Sequence, residues 1–163
     1  MFFRMRITSY TVFFCITYVL IFKTGFTESR CFYPWITFQK HCYMFGFNKK
    51  TWFDSKVECN KYNSYLARVE TPAEDNWIIQ QILALSKNTA RYLWIGGNTL
   101  RKVGDWRWES TNEKVGYTFF YPLEPNSPTT ERCLCYFSNR KKMLYWGDYI
   151  CNGKIGFICE RDN

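Results

Sequence analysis

Glu124-Pro125-Asn126, Glu131 and Asp148 are the residues of this chain best suited to chemistry. Glu131 lies two residues before Cys133 and Asp148 three residues before Cys151, so three carboxylates and one amide carbonyl fall on two short segments beside cysteines. A hard cation such as Ca²⁺ takes six to eight oxygens at roughly 2.3–2.6 Å. Glu124, Asn126, Glu131 and Asp148 would supply about four to six of them, since a carboxylate binds through one oxygen or two. The remaining positions would be open to water or to the hydroxyls of a ligand, so such an ion would be a binding site and not only a staple. Spacing alone equally fits surface carboxylates around a proline turn, because Asp, Asn and Pro are usual turn residues.

Other chemistries find little support. The single histidine, His41, stands next to Cys42, and no nucleophile or general base has an evident partner, so an enzyme is not expected. Zinc is not expected either, with no Cys-x₂-Cys pair. The formal charge is +8, and the longest basic run, Arg140-Lys141-Lys142, reads as the solvated tip of a hairpin. Nucleic-acid binding needs a broader basic footprint.

The start of the chain reads as a secretory leader. Arg4 and Arg6 form a basic opening, Tyr10 to Phe22 is mainly apolar, and small residues follow near Gly25 to Ser29. The expected organisation is a signal peptide over 1–27 and one domain over 28–163, secreted, with no membrane span left after cleavage. The alternative is an uncleaved anchor, but the apolar stretch is short of the ~20 residues that a spanning helix needs. Removing 1–27 takes away Arg4, Arg6, Lys23 and no acid, which leaves +5.

The elements that must position the carboxylates follow from local signals. Alternating aromatic and polar residues over 31–50 read as strand and hairpin. Thr51 with Asp54 makes a capping box, which predicts a helix through Cys59 to about Tyr62. Thr71, Pro72 and Glu74 open a second helix, with Ile78, Ile82 and Leu85 on its core face. Ser64 to Val69 is a short strand or extended link. From Arg91 onward the pattern is strands and turns: Leu93-Trp94-Ile95, then Trp106 and Trp108 on one face. Cys133 to Phe137 and Met143 to Trp146 then pair across a turn, and Ile155 to Cys159 closes the sheet. The carboxylates fall in or beside the long loop from Gly116 to Arg132, and loops of that length in a compact domain are usually functional or disordered.

Read with their frame, these residues resemble a C-type lectin-like domain. The frame comprises Trp94-Ile95-Gly96-Gly97, Trp106-Arg107-Trp108, Glu131-Arg132-Cys133, Trp146-Gly147-Asp148-Tyr149-Ile150-Cys151 and Phe157-Ile158-Cys159-Glu160, in the family's order from about Cys31 to Glu160. The resemblance implies an α+β fold of two helices, antiparallel sheets and a long loop region, stabilised by the disulfides Cys31–Cys42, Cys59–Cys159 and Cys133–Cys151. It implies that the Glu-Pro-Asn triplet carries a cis proline, helps to bind Ca²⁺ and goes with mannose-type sugars. Glu124, Asn126, Glu131 and Asp148 would hold the ion, and the vicinal hydroxyls of a sugar on a glycan or glycoprotein would complete its shell. Cys135 is left over, either as a buried inert thiol or as an intermolecular bridge making an oligomer.

The chain departs from the family's pattern at Gly147, where Asn is usual between Trp and Asp. That removes one ligand oxygen and one sugar contact, and Gly147→Asn is expected to restore both. Ser127 and Arg132 replace residues of an auxiliary ion site, and Arg132 could place its cation near the primary one. The rival expectation is a metal-independent protein-binding module of toxin, inhibitor or receptor-ligand type. Gly147 and Arg132 favour it; the triplet with Glu131 favours sugar.

Overall fold

The computed structural model describes residues 31–86, 92–139 and 143–163. The expected leader lies outside them. Thr51 caps α1 (Trp52–Asn60), its Oγ1 accepting from Asp54 N at 3.1 Å and donating to Asp54 Oδ2 at 2.7 Å. The helix stops short of Tyr62 because Ser64 Oγ takes the Cys59 carbonyl at 2.6 Å and Asn63 turns to φ 51. In α2 (Pro72–Leu85), Thr71 Oγ1 accepts from Glu74 N at 3.2 Å. Ile78 and Ile82 are fully buried, but Leu85, expected beside them, is 40% exposed. As the last helical residue it outruns the core that its neighbours cover.

Among the described residues, eight strands form one sheet: β1 (Ile36–Phe38), β2 (His41–Lys50), β3 (Tyr65–Leu66), β4 (Leu93–Asn98), β5 (Arg107–Trp108), β6 (Cys133–Ser138), β7 (Leu144–Tyr149) and β8 (Ile155–Asp162). Their order is β1-β2-β8-β4-β6-β7, with β3 also on β8 and β5 on β4. The sheet is mixed, not purely antiparallel as expected, because β8 runs parallel to β4. The last strand inserts between β2 and β4, which run in opposite directions, so it must lie parallel to one of them. The fold class is α+β.

Indole nitrogens fasten these layers. Trp52 Nε1 donates to the Ile95 carbonyl at 2.9 Å, locking α1 onto β4, and Trp94 Nε1 donates to Lys50 O at 3.0 Å. Asp75, 1% exposed at the start of α2, accepts from Tyr136 OH (2.5 Å), Trp146 Nε1 (2.9 Å) and Tyr117 OH (3.3 Å). That one carboxylate ties the helix to β6, β7 and the long loop. All three expected disulfides are present. The Cys59–Cys159 bridge closes 100 residues, worth about 4–5 kcal/mol in the loop-entropy account. No helix among the described residues is long and apolar enough to cross a membrane.

Candidate functional site

The long loop is stitched to β7 before it reaches the site. Trp146 N donates to Phe119 O at 2.9 Å and Tyr121 N to Trp146 O at 3.0 Å, so the loop runs beside the strand that carries Asp148. Glu124 N then donates to Tyr121 O at 2.8 Å, and the Glu124–Pro125 peptide is cis, as the resemblance implied. Glu131 N donates to Ser127 O at 2.8 Å, folding the rest of the loop back toward β6.

Asp148, 6% exposed, holds the triplet in place. Its Oδ1 accepts from Asn126 N at 3.1 Å and its Oδ2 from Ser127 N at 3.2 Å. Each carboxylate oxygen keeps a lone pair after one such bond, so Asp148 can anchor the loop and still serve an ion. Asn126 Nδ2 donates to Glu124 Oε1 at 2.8 Å, while its Oδ1 accepts from Ser127 Oγ at 2.9 Å. The amide oxygen expected to be a ligand is therefore turned to a hydroxyl, and engaging an ion needs that contact to loosen.

Glu124 is the strained member of the group. Its Oε2 is buried with no N–H or O–H group to satisfy it, and the carboxyl lies against that of Asp148, with which it can share a proton. Burial, followed by the neighbouring Asp148 and Glu131 carboxylates, pushes its carboxyl up to about 8. Glu131 is likewise raised, by burial and then by Asp148. Beneath them Cys135 is 2% exposed, its thiol pushed up by burial first and then by the same three carboxylates. The structure thus brings Glu124, Asn126 and Asp148 into one hydrogen-bonded group. Glu131 faces that group through its charge, without a side-chain hydrogen bond to it. No trio of His, Cys, Asp or Glu among the described residues converges closely enough to form a metal site through those side chains alone. The donor set, three crowded carboxyl groups of which Glu124 is driven to keep its proton, is nonetheless the chemistry that a hard cation would relieve by taking the proton's place.

Gly147 and Arg132 stand differently from expectation, and Cys135 takes the buried free-thiol alternative. Gly147 does more than omit a ligand: a Cβ there would lie 2.9 Å from Phe137 Cε1 and 3.5 Å from Glu124 Cδ. The Phe137 ring already fills that space, so Gly147→Asn cannot simply restore the missing amide. Arg132 turns away from the carboxylates and donates through Nη2 to the Thr99 carbonyl. Cys135 is buried, so bridging to a second chain through it would require the sheet to open. Phe137 was invisible to sequence reading because its proximity to Gly147 depends on the β6–β7 register, in which Cys135 pairs with Gly147.

Comparison with known proteins gives the same frame. The model of the lectin C-type domain matches residues 48–161. A perlucin-like protein of Mytilus galloprovincialis is 28% identical over 148 residues, covering 86% of this chain and 93% of that one. Other relatives are longer: the chain spans 31% of human C-type lectin domain family 17, member A, at 31% identity over 78% of this chain. Among solved structures, a complex of SPL-1 with GlcNAc superposes with a TM-score of 0.74 at 29% identity, covering 83% of this chain and 98% of that one. A calcium-independent type II antifreeze protein shares the fold at a TM-score of 0.69 and 22% identity, over 81% of this chain and 94% of that one. Sequence frame, disulfides, sheet order and family match agree, and the chain belongs to the C-type lectin domain family.

Proposed function

We propose that this protein is a secreted, calcium-dependent lectin for mannose-type sugars, a binding module and not an enzyme. The single observation that carries the reading is the Glu124–Asp148–Glu131 cluster, with the Glu124 carboxyl buried against that of Asp148 and no N–H or O–H donor at its Oε2. Glu124, Asn126, Glu131 and Asp148 would hold Ca²⁺, three negative charges against two positive once the ion displaces the proton that the raised Glu124 carboxyl keeps at neutral pH. When bound, the ion offers open coordination positions to vicinal hydroxyls. The chain's own part is to fix where those hydroxyls arrive. Asp148 pins the triplet to β7 through two backbone N–H groups, and Asn126 Nδ2 orients Glu124. The GlcNAc complex of the SPL-1 neighbour supports a glycan ligand, and the triplet supports the mannose class. Three disulfides and the leader-like start support an oxidising, extracellular destination.

A second reading, a metal-independent protein-binding module, is favoured by one observation, the Phe137 ring standing where a ligand side chain at 147 would project. Thermal melting and a glycan array, each with several millimolar Ca²⁺ and with chelator, separate the two. The lectin reading expects a calcium-dependent rise in melting temperature, since the ion binds the folded loops alone, and mannose-type signals that vanish with chelator. No shift and no glycan signal would hand the site to the protein-binding reading.

A further inference from the structure

A cavity of about 250 Å³ lies between α1 and the β4–β5 hairpin, and none of Glu124, Asn126, Glu131 and Asp148 lines it. Its apolar walls are Trp52 and Phe53 of α1 with Leu100 and Trp108. Most of its charge is already paired within the lining. Lys56 Nζ meets Glu109 Oε1, Arg107 Nε donates to Asp105 Oδ2 at 2.7 Å, and Arg107 Nη1 donates to the Asn112 carbonyl at 2.9 Å. The volume falls below the range of about 300–1,000 Å³ usual for small-molecule sites, so it suits one group the size of a side chain.

Two polar groups of this lining are left over. Arg101 is exposed, adjoins Leu100 and has no carboxylate partner among the described residues. Trp108 is 2% exposed, yet its Nε1–H makes no hydrogen bond to a described residue. Trp52, which lines the same cavity, gives its indole N–H to the Ile95 carbonyl at 2.9 Å. A buried indole N–H usually has an acceptor, and here a ligand could supply it. The backbone that presents Arg101 is tied down on both sides: Thr99 N donates to Arg132 O at 2.9 Å, Leu100 N to Asn98 Oδ1 at 3.1 Å and Asp105 N to Lys102 O at 3.1 Å. Both leftover groups are donors and one is a full cation, so the matching ligand is an acceptor with negative charge.

We propose that this cavity binds an α-carboxylate carried beside one aromatic side chain, as in an N-acylated amino acid or the free C-terminus of a peptide. The ring packs among Trp52, Phe53 and Trp108, where aromatic pairs gain beyond their buried area. The carboxylate faces Arg101, and the neighbouring acyl oxygen accepts from Trp108 Nε1–H. Because Leu100 and Arg101 are consecutive, apolar wall and cation lie side by side, and the ligand must carry its charge close to its ring. The Lys56–Glu109 and Arg107–Asp105 pairs add no net charge, so Arg101 decides the sign that is accepted. The site needs neither the ion nor a sugar.

The test is an NMR titration of the ¹⁵N-labelled protein, in chelator, with N-acetylphenylalanine, with its amide, and with a short peptide ending in phenylalanine as free acid or amide. N-acetylphenylalanine should move the Trp108 indole N–H signal and the backbone signals of Asn98 to Arg101. The amide should bind about threefold to fivefold more weakly, the scale of one exposed ion pair. Arg101→Gln should bring the acid down to the level of the amide with melting unchanged, and Arg101→Lys should restore most of the difference. Binding of the peptide acid together with N-acetylphenylalanine assigns the site to chain ends, and binding of N-acetylphenylalanine alone assigns it to free acids; either result upholds the proposal. No movement of the Trp108 indole signal at about 10 mM ligand, equal binding of acid and amide, or an Arg101→Gln protein that still prefers the acid overturns it.

Discussion

The Phe137 ring occupies the volume that a side chain at Gly147 would need, with Cε1 at 2.9 Å and Cδ1 at 3.0 Å from the Cβ position. The two residues lie on adjacent strands and must be chosen together. Gly147→Asn alone is therefore expected to push the ring aside and to destabilise by about 1–3 kcal/mol, the usual cost of overpacking. It should not tighten sugar binding. Gly147→Asn combined with Phe137→Ala opens the space, and should recover the melting temperature and bind methyl α-mannoside more tightly than the wild type. A single variant that bound sugar better with unchanged melting would show that the ring yields freely.

Asp148 has two separable duties. Its oxygens accept from Asn126 N and Ser127 N at 3.1 and 3.2 Å, so Asp148→Ala should loosen the triplet even in chelator. The expected loss is about 1.5–3 kcal/mol, typical of hydrogen bonds to a charged group, read from urea unfolding. Asp148→Asn keeps one acceptor and should lose less. Glu131→Gln relieves repulsion toward Asp148 and should not lower stability in chelator, yet it should weaken calcium binding. Equal stability of Asp148→Ala and wild type in chelator would rule out the anchoring role.

What could be read in the sequence was local or came with the family frame. Thr51 with Asp54 and Thr71 with Pro72 announce their helices because caps act within one turn. The disulfide pairs came with the resemblance, and the carboxylate positions with the triplet and Asp148. What could not be read depends on register and on distant partners. The Phe137–Gly147 contact needs the β6–β7 alignment. Arg132 points to Thr99, 33 residues away. Asp75 looked like any acid in a first helical turn, although three donors from three other segments converge on it. The parallel β4–β8 pairing follows from where the last strand inserts, which no hydrophobic pattern encodes.

That buried Asp75 supplies a third prediction. Asp75→Ala leaves Tyr136 OH, Trp146 Nε1 and Tyr117 OH without their acceptor. Each unsatisfied buried donor costs about 1–3 kcal/mol, so a loss above ~3 kcal/mol is expected in denaturant unfolding. Asp75→Asn keeps one acceptor oxygen and should fall between Asp75→Ala and the wild type. Because Trp146 precedes Gly147 and Asp148, the alanine variant should also lose calcium-induced stabilisation. Near-wild-type stability would mean that water replaces the carboxylate.

The last prediction concerns the one histidine. His41 on β2 places Nδ1 3.1 Å from Glu160 Oε1 and 3.1 Å from Asp162 Oδ1, both on β8, with Tyr65 of β3 on the same carboxylates. Its pKa is raised above the ordinary value of 6.5, first by the hydrogen bond with Glu160, with the charges of Glu160, Asp162 and Glu74 adding to it against the opposing effect of burial. A folded-state pKa above the unfolded one means that the native protein holds this proton more tightly. The resulting stabilisation is complete below about pH 6.5 and fades as pH rises through the folded value. Unfolding free energies measured from pH 5.5 to 8.5 should therefore show the wild type losing its advantage over His41→Gln as the solution becomes alkaline. The imidazole is about one-third exposed, so the difference will be modest and should shrink further in high salt. Parallel pH profiles for the two proteins would show that the proton on His41 contributes nothing to holding β2 against β8.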